Sequence, residues 1–165
     1  MQNYKPVKNL LSKGSTNAKT SKNPETTYIL YLAPYTQNSK KINICPKASA
    51  GCAASCLFSA GRGSFSNVIA SRVNKTEYYL HDKEKFILQL AGELVKINKK
   101  ASKETNQTLI RLNGTSDLDF VYLLKKYANF DISYKGFKVV DGDKTDSEML
   151  SFKGFILGLK AKGKA

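Results

Sequence analysis

The chain has 165 residues, 41% hydrophobic and 24% charged, and its 27 Lys+Arg against 13 Asp+Glu give a formal net charge of +14. This length suits one domain with a core large enough to fold without disulfide staples, and no apolar run approaches a membrane span. With no basic segment leading into an apolar stretch, the expectation is a soluble, cytoplasmic protein with no membrane partner.

The charge points first to an anionic partner, nucleic acid or another anionic ligand. It also has a compositional explanation, because 24 of the 27 basic residues are lysine in a chain rich in Asn, Ile and Tyr, the usage of an A/T-rich genome. The distribution is uneven. Residues 1–76 carry eleven basic side chains against Glu25 alone, a local +10, whereas residues 77–165 carry sixteen against twelve, or +4. The three arginines, Arg62, Arg72 and Arg111, offer planar forks that lysine cannot copy, so each is a site candidate.

In chain order, residues 1–26 mix Lys, Asn, Ser and Gly with little periodicity and read as a basic, partly flexible arm that docks only in part. Residues 27–165 then form a single domain. TTYILYLAP (26–34) is rich in β-branched and aromatic residues and predicts a strand buried on both faces. A polar turn leads to CPKASAGCAASCLFSAGRG (45–63). From Ser64 to Leu80, and again from Asp82 as a cap through Phe86, Ile87, Leu90, Leu94 and Ile97, apolar residues recur at helical spacing, predicting two helices joined near His81. QTLIRLNG (107–114) predicts a second strand, and TSDLDFVYLLKKY a short helix capped by Ser116 or Asp117. NFDIS, FKVVDGD and FILGLKA are three further strand candidates. The order strand, loop, helix, helix, strand, loop, helix indicates an α/β fold with mostly parallel strands and crossover helices, either an open sheet or a small, incomplete βα barrel-like arrangement.

The segment 45–63 holds all three cysteines, Cys45, Cys52 and Cys56. An odd count in a reducing compartment argues against a disulfide framework and leaves metal ligation, reactive thiols or burial. If AGCAASCLF is helical, Cys52 and Cys56 share one face and confront the loop residue Cys45. Three thiolates suit an iron–sulfur cluster with one iron left open, or a zinc ion in need of a fourth ligand. The only histidine, His81, is read as a helix-junction residue rather than that ligand.

Gly61, Arg62 and Gly63 ahead of a helix start are an anion- or cofactor-binding candidate, with Arg72 one further candidate nearby; a plain turn with Arg62 in solvent is the simpler reading. At the end of the second strand, Arg111, Asn113, Thr115, Ser116 and Asp117 form a candidate substrate site, because ligands gather at the carboxyl ends of parallel strands. Ordinary turn and cap chemistry explains the same residues. Asp141, Asp143 and Asp146 make an acidic turn that suits a magnesium ion, pairing with arginines, or solvent.

Taken together, NAKTSKN, YLAP, CPKASAGCAASCLFSAGRG, SRVNKTEYYL, RLNGTSDLDF, VVDGDKTD and GLKAKGKA resemble a family of uncharacterised tailed-phage proteins, the gene product 88 family. The resemblance implies a phage protein working in the host cytoplasm, and it lends no activity. Family members are longer, with further strands between the SDLDF and DGD segments, where this chain has only residues 121–138. The resemblance also leads to an arginine and a further aspartate after DGDKTD, where Ser147, Glu148, Met149 and Leu150 stand here. Both departures imply a shortened member. A second similarity is one of analogy: a three-cysteine loop directly after the first strand is similar to radical S-adenosylmethionine enzymes. The spacing C-x6-C-x3-C differs from their C-x3-C-x2-C, and the chain is short for a six-unit barrel at about 30 residues per unit.

The leading functional expectation is a protein that binds iron–sulfur or zinc through Cys45, Cys52 and Cys56, with S-adenosylmethionine entering by analogy alone. The alternatives are a metal-free binding module for nucleic acid or a host factor, and an inactive shortened remnant. Oligomeric state is left open by the sequence.

Overall fold

The computed structural model describes residues 4–16, 26–35, 37–56, 58, 61–101, 103 and 108–130, together with the segments 137–138 and 149–151. Among the described residues five strands form one sheet, in the order β1 (Leu11–Lys13), β2 (Thr26–Leu30), β3 (Thr108–Arg111), β5 (Met149–Ser151) and β4 (Phe137–Lys138). At its centre lie β2 (Thr26–Leu30) and β3 (Thr108–Arg111), paired in parallel with Thr26 opposite Thr108 and Ile29 opposite Arg111. In β2, Thr27, Tyr28, Ile29 and Leu30 are all buried, so both faces of the strand are covered, as its β-branched and aromatic run requires.

Parallel neighbours need a long crossover, which two helices supply. These are α2 (Ser66–His81) and α3 (Lys83–Ala101). On α3, Phe86, Ile87, Leu90, Ala91 and Leu94 form one buried stripe. The break between the helices falls at Asp82, close to the expected junction. Its N–H donates to the Tyr78 carbonyl and its own carbonyl accepts from Phe86 N–H, so one residue closes α2 and opens α3. His81, at the end of α2, lies 3.4 Å from the Glu77 carboxylate through Nε2.

The α/β architecture is thus an open sheet with crossover helices. Its pairing is mixed: β2–β3 is parallel, while β1–β2, β3–β5 and β4–β5 are antiparallel. The reason lies in the connections, because among the described residues only the segment between β2 and β3 carries a helix pair that returns the chain to the same end of the sheet. Of the later strand candidates, FKVVDGD contributes β4 (Phe137–Lys138), and β5 (Met149–Ser151) forms where no strand was expected. NFDIS begins with the left-handed Asn129 that ends a helix and the buried Phe130, whose N–H donates to the Leu124 carbonyl; residues 131–133, like FILGLKA, lie outside the described residues.

That helix is α4 (Phe120–Ala128), and Asp119 caps it: Oδ1 accepts from Tyr122 N–H at 2.9 Å. The expected caps, Ser116 and Asp117, are committed elsewhere. Ser116 Oγ donates to Asn113 Oδ1, and Asp117 Oδ2 accepts from Lys47 N–H.

The described part of the basic arm, residues 4–16, is docked rather than free. It includes β1 (Leu11–Lys13), and Leu10 is fully buried. Side chains of the crossover helices hold its backbone: Asn74 bonds both Lys5 N–H and Lys5 carbonyl, Gln89 donates to the Val7 carbonyl, Glu93 accepts from Leu10 and Leu11 N–H, and Lys75 donates to the Leu10 carbonyl. Tyr4 stacks on Tyr78 with centroids 4.7 Å apart and donates to Asp82.

Beyond β3 the chain passes so close to β2 that only glycine fits. A Cβ on Gly114 would stand 2.7 Å from the Leu30 carbonyl oxygen and 2.7 Å from the Tyr31 ring. The Gly114→Ala variant is expected to lose about 1–3 kcal/mol of stability, read as a lower urea midpoint with an unchanged slope, because backbone cannot yield as a side chain does.

Candidate functional site

The segments leaving β2 and β3 emerge at the same end of the sheet because the two strands are parallel, and there they clasp each other. Gly114 N–H donates to the Leu30 carbonyl at 3.0 Å and Asp117 N–H to the Ile44 carbonyl at 3.1 Å. Thr115 Oγ1 donates to the Leu32 carbonyl, and Lys47 N–H donates to Asp117 Oδ2 at 2.9 Å. Within the second loop, Asn113 Nδ2 donates to the Leu118 carbonyl while its Oδ1 accepts from Ser116 Oγ and Leu118 N–H. Arg111 is half-buried, and its Nε donates to the Asn113 carbonyl at 3.2 Å. The residues predicted from the RLNGTSDLD segment are therefore together, and the bonds they make build the floor beneath the cysteine loop.

Cys45 sits on that floor. It is buried, its thiol lies 3.7 Å from the Thr115 carbonyl, and its N–H donates to Asn43 Oδ1 at 2.8 Å. Pro46 and Lys47 then turn the chain, closed by Ala48 N–H on the Cys45 carbonyl. The short helix α1 (Ala50–Ala54) follows, with Ser49 Oγ accepting from Cys52 N–H at its start. It ends at once, since Ser55 sends both its N–H and its hydroxyl to the Gly51 carbonyl. Cys52 is exposed on α1 and Cys56, beyond its end, is half-buried. The expected helical face shared by Cys52 and Cys56 is therefore not formed, because serine capping closes α1 before it reaches Cys56.

A residue absent from the predicted site feels the field of all three thiols. Tyr35 adopts a left-handed backbone (φ 51°), a conformation costly for a bulky side chain. Its hydroxyl donates to the carbonyl of Ser49, the α1 cap, at 3.4 Å. The Tyr35 phenol is pushed up by lost hydration and then by Cys52, Cys45 and Cys56, so all three sulfurs lie within its field. Burial pushes the Cys45 thiol up; the Tyr35 N–H opposes this, and Cys56, Asp117 and Cys52 add to it. No periodicity or motif marks Tyr35, whose signal is a backbone angle.

A cavity of about 190 Å³ opens beside these groups, lined in part by Tyr35, Ala53, Ala54, Cys56 and Phe58. Near it, the half-buried Arg72 on α2 stacks over Tyr31 at 4.7 Å and Phe58 at 5.6 Å, and one of its terminal nitrogens donates to the Phe58 carbonyl at 3.1 Å. Burial lowers the Arg72 guanidinium, while Tyr31 and Cys56 act to keep it charged. Arg72 thus belongs to the cysteine site. Arg62 is exposed on a 3-10 turn spanning Gly61–Ser64, in which Gly61 supplies the left-handed corner (φ 54°) and Ser64 Oγ donates to the Gly61 carbonyl. The first turn of α2 has Phe65 as its cap residue without a side-chain bond. Asp141, Asp143 and Asp146 lie outside the described residues. Among the described residues, no three His, Cys, Asp or Glu side chains stand ready to hold a metal ion.

A family model described as Gene product 88 matches residues 9–130, which include both clasped loops and all three cysteines. The chain belongs to the Gene product 88 family. No curated protein and no solved structure matches it. The Gene product 88 match takes in the docked arm from Asn9, the central parallel pair and the four helices among the described residues, so the clasp and the thiols lie within the matched span. None of the helices among the described residues is long and apolar enough to cross a membrane.

The burial gradient predicts an order of alkylation. Iodoacetamide is expected to modify Cys52 first, Cys56 more slowly, and Cys45 last, with Cys45 needing a more alkaline solution than an ordinary thiol because its raised pKa leaves less thiolate near neutrality. Peptide mass spectrometry over a time course and a pH series checks this; early modification of Cys45 contradicts the arrangement described.

Proposed function

We propose that this Gene product 88 protein binds a soft metal, either a zinc ion or an iron–sulfur cluster, through Cys45, Cys52 and Cys56. The observation supporting this reading is that Cys45 is fixed on the clasp beyond the carboxyl ends of a parallel strand pair, with Cys52 and Cys56 near enough to act together with it on Tyr35, at the place where α/β proteins collect ligands. The donor set fits in kind, since thiolate is the ligand common to zinc sites and iron–sulfur clusters. In separation it fits only after a shift. The element able to shift is α1, five residues long and held by its two serine caps, whereas Cys45 is anchored on the clasp.

Three protein sulfurs leave one coordination position to an external ligand. Arg72, kept charged beside Cys56, is the group that would attract a carboxylate or phosphate of that ligand. The Tyr35 N–H, which favours the Cys45 thiolate, is the kind of neighbouring group that would tune a ligating sulfur.

Anaerobic reconstitution of the purified full chain with ferrous iron and sulfide, and separately with zinc, tests the proposal. Retention of one metal centre per chain after desalting is expected, with a brown, visible-absorbing product in the iron case, and Cys45→Ala, Cys52→Ala and Cys56→Ala are each expected to abolish retention. Metal content that stays at background, or that is unchanged when all three cysteines are replaced, overturns it.

A further inference from the structure

A cavity of about 540 Å³ lies away from the thiols, between the docked arm and α2, within the size range of small-ligand sites. Its charged lining is of one sign: Lys8, Lys13 and Lys75 face it, together with the neutral polar residues Asn9, Ser12, Ser71 and Asn74, and no acidic side chain among the described residues.

Lys75 is the unusual member. Its relative exposure is 7%, and its ammonium group donates to the Leu10 carbonyl at 2.7 Å. The nearby Glu93 carboxylate is occupied by the N–H groups of Leu10 and Leu11, and no carboxylate among the described residues forms an ion pair with Lys75. Burial pushes the Lys75 ammonium down, Glu93 acts to restore it, and Arg72 pushes it down again. A buried cation whose nearby carboxylate is bonded elsewhere remains costly, and an anion entering the cavity would offset that cost. The walls are also built in advance. Asn74 grips Lys5 by two bonds at 2.7 and 2.9 Å, and Gln89 holds the Val7 carbonyl at 2.9 Å, so little ordering remains for a ligand to impose.

We infer that the cleft between the arm and α2 is a binding site for a phosphate-bearing ligand, with Lys8, Lys13 and Lys75 contacting its phosphate oxygens. Three cations with hydroxyl and amide donors between them match a ligand rich in anionic acceptors, either a phosphorylated small molecule or the phosphodiester backbone of a nucleic acid. The site is separate from the thiols and requires no metal.

Calorimetric titration of the full chain with tripolyphosphate at low salt tests the inference. Saturable binding is expected, weakened about tenfold or more in Lys8→Gln/Lys13→Gln and steeply reduced by added salt. Lys96→Gln/Lys103→Gln removes the same charge from exposed positions outside the cleft and is expected to bind almost as well as the parent. A single-stranded oligothymidylate then identifies the source: displacement of tripolyphosphate assigns the cleft to a phosphodiester backbone, and failure to displace it assigns a phosphorylated small molecule. The inference is overturned if neither probe binds, or if the two double variants lose affinity equally.

Discussion

The clasp between the chain segments leaving β2 and β3 governs the arrangement of everything around the cysteines. Two parallel strands deliver two loops to one end of the sheet, where exposed backbone groups must find partners. They find them mainly in each other, through Gly114 on Leu30, Thr115 on Leu32 and Asp117 on both Ile44 and Lys47. A long irregular loop thereby acquires a fixed point at Cys45, although most of its residues are too small to pack a core. The contact depends on the missing side chain of Gly114, which lets the second loop lie directly on the first strand.

Anchoring weakens along the loop from Cys45 outward. Cys45 is buried and bonded through its sulfur, α1 is a single short turn closed by serines, and Cys52 projects toward solvent. Cys45 is thus anchored, whereas Cys52 stands on an element with few bonds to lose and Cys56 lies just beyond its end. Tyr35 connects the two regions: its hydroxyl lies on the cap of α1, and its N–H favours the Cys45 thiolate.

The crossover helices also act as a source of buried polar contacts. Thr76 accepts from Ala33 N–H, Glu77 accepts from Ser39, and Glu93 and Lys75 bind the arm. Each serves backbone or side-chain groups of segments that lack regular structure, so the helices stabilise those segments through polar as well as apolar contacts. This accounts for the docking of a lysine-rich arm whose composition alone suggests only partial order: its apolar payload, Leu10 and Leu11, is small, but its backbone is satisfied from the helices.

The crossover helices, the doubly buried strand and the α/β class were legible because each depends on local periodicity: Phe86, Ile87, Leu90 and Leu94 announce a helix face wherever they occur. The placement of all three cysteines in one segment was equally plain from their positions. The cap at Asp119, the early stop of α1, the mixed pairing of the sheet and the role of Tyr35 were not, since each turns on which distant group claims a polar atom first. Asp117 looks like a helix cap until Lys47, seventy residues away in sequence, takes its carboxylate, and Lys75 looks like solvated charge until Leu10 covers it. Sequence by itself determined which segments carry apolar faces and which residues hold reactive chemistry; tertiary structure alone decided which polar groups meet, because those pairings are made across the parallel strand pair and between the arm and the helices, where separation along the chain says nothing about distance.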